Sequence, residues 1–200
     1  MAMPSDLIDR MRAALEGAGP SSSDFDLNPQ FRPKGLKLRP AAVLIAVCRR
    51  PEGWAVLLTK RASTLKHHPG QIAFPGGKVD PGDADAQAAA LREAQEEVGL
   101  DPAMVEVLGA MPPHETVTGF TVISFLAVVR DPFTPVIEAG EVEEAFFVPL
   151  AHLLDERAYS IQSRRWLGTR RSFFTVPWGP YYIWGATARM LRALAARMAG

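Results

Sequence analysis

The segment Leu91-Arg92-Glu93-Ala94-Gln95-Glu96-Glu97-Val98-Gly99-Leu100, set shortly after Phe74-Pro75-Gly76-Gly77, constrains this chain more than any other. Glu93, Glu96 and Glu97 recur at i, i+3 and i+4. On a helix, which advances about 100° per residue, these three carboxylates share an arc of about 100°. Leu91, Ala94 and Val98 point the other way, toward a core. Like charges at this spacing repel by a few tenths of a kcal/mol per pair, so the cluster calls for a counter-charge. Arg92 can neutralise part of it. Mg²⁺, a hard ion that takes carboxylate oxygens and keeps waters for phosphate chemistry, can neutralise the rest. For such acids in isolation, a solvated helix face is the alternative. The Gly-Gly turn upstream and Gly99 downstream instead frame a loop–helix–loop unit with its acids fixed inside.

At 200 residues the chain suits one domain with a full core, read as a single domain over 41–200 with an N-terminal helix and linker, 1–40, packed on or beside it. Lys plus Arg and Asp plus Glu both number 22, so no broad positive field exists and no nucleic-acid partner is expected. Positive charge is local. Lys60, Arg61 and Lys66 precede the Gly-Gly turn, and Arg164, Arg165, Arg170 and Arg171 come late. That pattern suits a small anionic ligand better than a duplex, with scattered solvated side chains as the alternative. The lone Cys48, inside an apolar run, excludes a disulfide framework and a cysteine-based zinc site and reads as a small core hydrophobe. No signal-like segment and no run of twenty apolar residues occurs, so a cytoplasmic protein without a membrane partner is expected.

Leu7, Met11 and Leu15 predict a helix over 6–15, followed by a Gly/Pro/Ser loop over 17–23. Residues 41–48 and 54–59 read as a hairpin about the turn 49–53. A loop with His67, His68, Pro69 and Gly70 leads to 71–74. Then follow the helix over 84–98, strands over 104–110, 118–129 and 141–148, and helical turns over 151–155. Strands over 172–176 and 181–184 flank a turn, and a closing helix over 186–198 turns Leu191, Leu194 and Met198 inward. The class is α/β, a mixed sheet covered by helices. The two terminal stripes are expected to cover the sheet; for assembly the expectation is a homodimer, with the monomer as the alternative.

Gly77 to Leu100 resembles the Nudix box, the loop–helix–loop signature of hydrolases that cut diphosphates linked to another group. The matching residues are Gly77, Asp83, Arg92, Glu93, Glu96, Glu97, Gly99 and Leu100. Asp83 stands where the box has glutamate, and eight rather than seven residues separate it from Arg92. The extra residue is similar to the coenzyme A diphosphatase branch, as is the upstream run Leu57-Leu58-Thr59-Lys60-Arg61-Ala62, Lys66, Gly70 and Phe74-Pro75-Gly76-Gly77. That branch carries arginine where this chain has Lys66, which keeps the charge and loses the bidentate fork.

The resemblance implies a Nudix-type α/β/α sandwich with a mixed β-sheet. It implies Glu93, Glu96 and Glu97 as catalytic metal ligands, and Arg92 orienting them through a carboxylate. Mg²⁺ or Mn²⁺ would bridge diphosphate oxygens and lower the pKa of a bound water. The general base is Glu93 or one of the later acids Glu115, Glu141, Glu143 and Glu144. Gly76 and Gly77 approach the ligand or the helix that follows, and Arg61 and Lys66 bind phosphate. Asp80 and Asp83 cap the helix or reach the metal through water. Of His67 and His68 at most one faces the ligand; Trp54, Trp166, Trp178 and Trp184 serve packing more readily than adenine stacking.

The implied reaction is hydrolysis of the diphosphate in coenzyme A, or its acyl and oxidised forms, to 3′,5′-ADP and 4′-phosphopantetheine. Alternatives are ADP-ribose or a dinucleoside polyphosphate as substrate, and a nucleotide-binding module without turnover.

Overall fold

The computed structural model describes residues 5–17, 19–65, 68–166 and 168–199. The first half runs α1 (Ser5–Leu15), β1 (Ser22–Ser23), β2 (Arg39–Arg50), β3 (Gly53–Arg61), β4 (Ile72–Ala73), β5 (Gly76–Lys78) and α2 (Ala86–Val98). The second runs β6 (Val105–Ala110), β7 (His114–Glu115), β8 (Phe120–Val129), β9 (Val142–Pro149), α3 (Leu150–Leu154), β10 (Ser160–Trp166), β11 (Thr169–Thr175) and α4 (Gly185–Ala199).

Strand β2 is a near-continuous apolar run because both of its faces are covered. Ala41, Ile45 and Val47 join a core with Met11 of α1, Leu150 and Leu153 of α3, and Leu191, Leu194 and Met198 of α4. Ala42, Leu44, Ala46 and Cys48 face Ala89, Ala90, Ala94 and Val98 of α2. The alanines of α2 let its axis lie close to the sheet. Cys48 is buried, and desolvation pushes its thiol up to about 12, so it behaves as the expected core hydrophobe. Leu7 and Leu15 pack against the first core. Arg197 of α4 donates to the carbonyls of Ala14, Glu16 and Gly17, closing the C-terminal end of α1 with positive charge.

The sheet is mixed. Strand β2 runs parallel to β8, with Leu44 beside Phe125, and antiparallel to β3 only near their turn, from Val47↔Val56 to Arg50↔Gly53. Beyond that point the two strands part, and β4 and β5 fill the split. Ala73 pairs with Thr59 of β3, and Gly77 with Ala42 of β2. The outer edge of β3 is taken by β9, with Arg61 opposite Val142. This split carries the Gly-Gly turn into the sheet beneath α2.

Two local expectations are corrected, and one strand had no sequence signal. The loop predicted over 17–23 contains β1, which pairs parallel to β7. Residues 160–166 carry no apolar alternation, yet form β10 and pair with β11, which begins at Thr169. The strand predicted over 181–184 makes only the isolated bridges Thr175↔Trp184 and Trp178↔Tyr181, because positive φ at Gly179 and Gly185 bends the chain on both sides. Among the described residues no helix is long and apolar enough to cross a membrane.

Leu44 is fully buried between sheet and α2. Leu44→Ala should cost about 2–5 kcal/mol, the range for a large-to-small change that leaves a cavity. It should appear as a lower denaturant midpoint at unchanged m; a loss below about 1 kcal/mol would show that the layer closes over the gap.

Candidate active site

Helix α2 begins where Asp85, in extended conformation, accepts the Ala88 N–H at 2.8 Å, and ends at Gly99 in the left-handed region, φ 69°. Asp85 is thus the cap, and the expectation that Asp80 or Asp83 caps the helix is corrected. Asp83 instead accepts Arg92 in a bidentate pair, Nε at 2.9 Å and Nη2 at 3.1 Å, and also takes the Asp80 N–H at 2.8 Å. The guanidinium holds the Asp83 carboxyl below the usual range. Arg92 Nη1 donates to Glu93 Oε1 at 3.1 Å and Glu96 Oε2 at 2.9 Å, and Nη2 to the Lys78 carbonyl at 3.3 Å. All five guanidinium N–H groups are directed at the scaffold, so Arg92 ties Asp83, Glu93, Glu96 and the Lys78 carbonyl to one another.

Gly76 and Gly77 form the bed for those acids. Gly76 has φ 154°, and a Cβ there would lie 2.4 Å from the Ala42 carbonyl oxygen and 2.6 Å from Val43 Cα. A Cβ on Gly77 would lie 2.4 Å from Glu93 Oε1. The Gly76 N–H donates to Glu97 Oε2 at 3.3 Å. Gly77 thus lies close against the Glu93 side chain of the following helix, and Gly76 close against β2.

Glu97 is 3% exposed, Glu93 is half-buried, and Glu141 is exposed. One carboxylate oxygen from each lies within 4.8 Å of those of the other two. Glu141 reaches them because its segment hangs on the end of α2: Val136 N–H donates to the Val98 carbonyl at 2.9 Å and Glu138 N–H to the Glu97 carbonyl at 3.0 Å. On the far side the Ala62 N–H donates to the Glu141 carbonyl at 2.9 Å. The remaining late acids are engaged elsewhere. Glu115 accepts Arg32, Glu143 accepts Lys60 and the Ser63 N–H, and Glu144 accepts the Tyr181 hydroxyl. Glu96, exposed, faces Arg92 and stands outside the three-oxygen group.

Burial raises the Glu93 carboxyl. It pushes Glu97 up to about 8, with the Glu93 and Glu141 charges adding to the effect and the Gly76 N–H and Arg61 opposing it. Arg61, the last residue of β3, therefore acts on the cluster through its charge. Three carboxylates facing one point offer a hard-oxygen donor set that suits Mg²⁺ or Mn²⁺. Lys66 and His67 lie outside the described residues, and His68 is exposed at φ 54°. Trp54 packs on the core, Trp178 lies against His152 and Trp184 against Phe173; the Trp166 side chain lies outside the description. Nothing in linear spacing distinguishes Glu141 from its neighbours. Asp85 was detectable as the acid immediately before the Ala-rich run.

Without a cation, folded Glu97 keeps its proton up to about pH 8, whereas the unfolded chain releases it near the ordinary glutamate value. The folded state then binds the extra proton between those values, so this group's contribution to stability falls as pH rises through the window, by up to about 1.4 kcal/mol per pH unit. In chelator, Glu97→Gln should gain stability relative to the parent between about pH 5.5 and about pH 8. Thermal unfolding at both values checks this; parallel curves would remove Glu97 from the buried cluster. Gly77→Ala should displace Glu93 and weaken Mg²⁺-induced thermal stabilisation at least ten-fold in apparent affinity, while far-UV circular dichroism stays unchanged.

The NUDIX domain model matches residues 37–167. The chain is 43% identical over 169 residues to the "Uncharacterized Nudix hydrolase NudL" of Cronobacter sakazakii, covering 84% of this chain and 88% of that protein. It is 44% identical over the same length and shares to the protein of that name from Salmonella dublin. Among solved structures, a Nudix hydrolase from M. smegmatis, RenU, aligns at TM-score 0.49 and 27% identity over 58% of this chain and 74% of its own. Sequence match and box geometry agree: the chain belongs to the Nudix hydrolase family.

Proposed function

We propose that this hydrolase cleaves the diphosphate bond of a nucleoside diphosphate derivative, with a divalent cation held by Glu93, Glu97 and Glu141. The observation that carries this is the convergence of three carboxylate oxygens within 4.8 Å of one another against the Gly76–Gly77 turn, with the Arg61 charge acting on Glu97. Mg²⁺ or Mn²⁺ bound there would neutralise diphosphate charge and supply Lewis acidity. The protein's part is positional. Gly76 N–H and Arg92 hold the acids in register, and Arg61 supplies a cation for a phosphate oxygen. Water adds across the P–O–P link, one phosphoryl group taking the hydroxyl and the other a proton. Glu141, the exposed member of the cluster, is the proposed proton acceptor, with Glu93 the second candidate. Glu96, on the rim against Arg92, is proposed as an outer carboxylate that supports the cation.

Coenzyme A is the substrate supported by the upstream signature, whose residues 57–61 form the end of β3 and whose Gly76 and Gly77 underlie the cluster. Arg61 beside Glu97 suits a diphosphate in general rather than a remote 3′-phosphate, and this favours ADP-ribose or a dinucleoside polyphosphate as the second reading.

Purified protein with Mg²⁺ should hydrolyse at least one of coenzyme A, 3′-dephospho-coenzyme A, ADP-ribose and diadenosine tetraphosphate, read by chromatography of products. Coenzyme A yielding 3′,5′-ADP with the highest kcat/KM supports the finer reading; preference for the dephospho form overturns it. No turnover of any, with binding retained, would favour a non-catalytic module. Glu97→Gln should lower kcat on the order of a hundred-fold and Glu141→Gln at least ten-fold, with Glu96→Gln milder than either. Near-normal turnover in Glu141→Gln would return the proton-acceptor role to Glu93.

A further inference from the structure

The sheet divides where the Gly-Gly turn enters it. Strand β5 is hydrogen-bonded to β2 and β4 to β3, and no ladder joins β4 to β5 among the described residues. Past that unladdered edge the two faces of β5 adjoin. On one face Gly77 lies against the Glu93 carboxylate of α2. Successive residues of a strand alternate, so Lys78 takes the opposite face, which it shares with Ala41, its partner on β2. Ala41 belongs to the core formed with α1 and α4. Arg39, two residues before Ala41, stands on that face as well, beside Phe120 of β8.

Arg39 and Lys78 are exposed. They are diagonal neighbours across the β2–β5 pair, about 7–8 Å apart at the backbone, a gap that long side chains close. The Arg39 guanidinium lies 4.2 Å from the centre of the Phe120 ring. Stacking fixes the plane of the guanidinium and engages none of its N–H donors. Among the described residues neither Arg39 nor Lys78 forms an ion pair with a carboxylate. Nearby, Arg92 is taken by Asp83, Glu93 and Glu96, and Lys60 by Glu143. Two like charges gathered on one face without an acid repel, and a bound anion removes that cost.

We propose that Arg39 and Lys78 form a clamp for a phosphate monoester carried on the nucleoside side of the substrate, across β5 from the cation-binding carboxylates. The clamp deepens the diphosphate-hydrolase reading and rests on it. Charge selects the ligand. A phosphate monoester carries about two negative charges at neutral pH, matching the two cations, whereas a nucleobase or a plain ribose offers none. A guanidinium held flat presents a fork to two phosphate oxygens, and the lysine adds a point charge. Reach agrees with this. Ala42 stands opposite Gly77, and Arg39 lies three residues further, about 10 Å along β2. With the diphosphate at the carboxylates, a pentose bearing a second phosphate spans this step to the end of a long arginine side chain. Arg39 and Lys78 thus determine specificity and take no part in breaking the bond.

Steady-state hydrolysis with Mg²⁺ compares coenzyme A with its 3′-dephospho form, which differ by one monoester. The parent should favour the phosphorylated member. Arg39→Gln should lower the ratio of the two kcat/KM values on the order of ten-fold, and Lys78→Gln roughly five-fold, both through KM. Arg39→Lys keeps the charge and loses the stacked fork, so its ratio should fall between those of the parent and Arg39→Gln. A merely structural role would lower both substrates alike. A parent ratio at or below one, or a ratio unmoved in both glutamine variants, therefore overturns the clamp while diphosphate hydrolysis stands. If neither compound is turned over, the hydrolase reading has failed for them, and calorimetric titration with 3′,5′-ADP and 5′-AMP decides the clamp. Tighter binding of 3′,5′-ADP on the order of ten-fold, lost in Arg39→Gln, is then expected. Equal affinity for the two overturns it.

Discussion

Glu93 and Glu97 lie one turn apart on α2, pressed against the sheet; Arg92 compensates Glu93, whereas no ion pair reaches Glu97 among the described residues. The Gly76 N–H and the Arg61 charge favour ionised Glu97, yet burial outweighs both and raises its carboxyl to about 8. Much of the surrounding architecture serves this arrangement. Glycine is required at 76 because any side chain would strike β2, and at 77 because it would strike the Glu93 carboxylate. The alanines of α2 bring the helix low enough for the acids to reach that floor. Carboxylates concentrated in this way hold a divalent cation far better than they hold one another, and the same concentration costs stability when no cation is there.

Arg92 and Glu141 approach the cluster from opposite directions. Arg92 is immobilised through Asp83, Glu93, Glu96 and the Lys78 carbonyl, so it links the loop before α2 to the helix itself. Asp83 is one carbon shorter than the glutamate of the box and sits one residue further from Arg92. The turn closed by the Asp80 N–H brings it within bidentate reach nonetheless. Glu141 arrives on an exposed segment tied to the last carbonyls of α2. Under the proposed reaction, the buried inner pair would hold the ion and the exposed outer member would exchange the proton.

The N-terminal arm reinforces the edge of the sheet. Strand β1 lies beside β7, where the buried His114 ring is hydrogen-bonded to Ser22 Oγ at 2.8 Å and Asp24 Oδ1 at 3.1 Å. Asp24 also accepts the Val117 N–H, and Arg32 pairs with Glu115. These contacts join segments some ninety residues apart in the chain, which is why a Gly/Pro/Ser-rich stretch with no strand pattern of its own is ordered as part of the sheet.

The amino-acid sequence by itself determined what depends on local periodicity and chemistry. The helix over the box, its stop at Gly99, the β2–β3 hairpin, the inward stripes of α1 and α4 and the burial of Cys48 all follow from short-range spacing, and the structure shows each. Tertiary structure decided the rest, because it depends on which distant segments meet. Asp85 rather than Asp83 caps α2, since Arg92 folds back to claim Asp83. Glu141 rather than Glu115, Glu143 or Glu144 stands beside Glu93 and Glu97, since the others are held by Arg32, Lys60 and Tyr181. Residues 160–166 become a strand only because β11 is there to pair with them. A carboxylate's partner depends on where segments 80 or more residues away come to lie, and no spacing rule within one segment can carry that information.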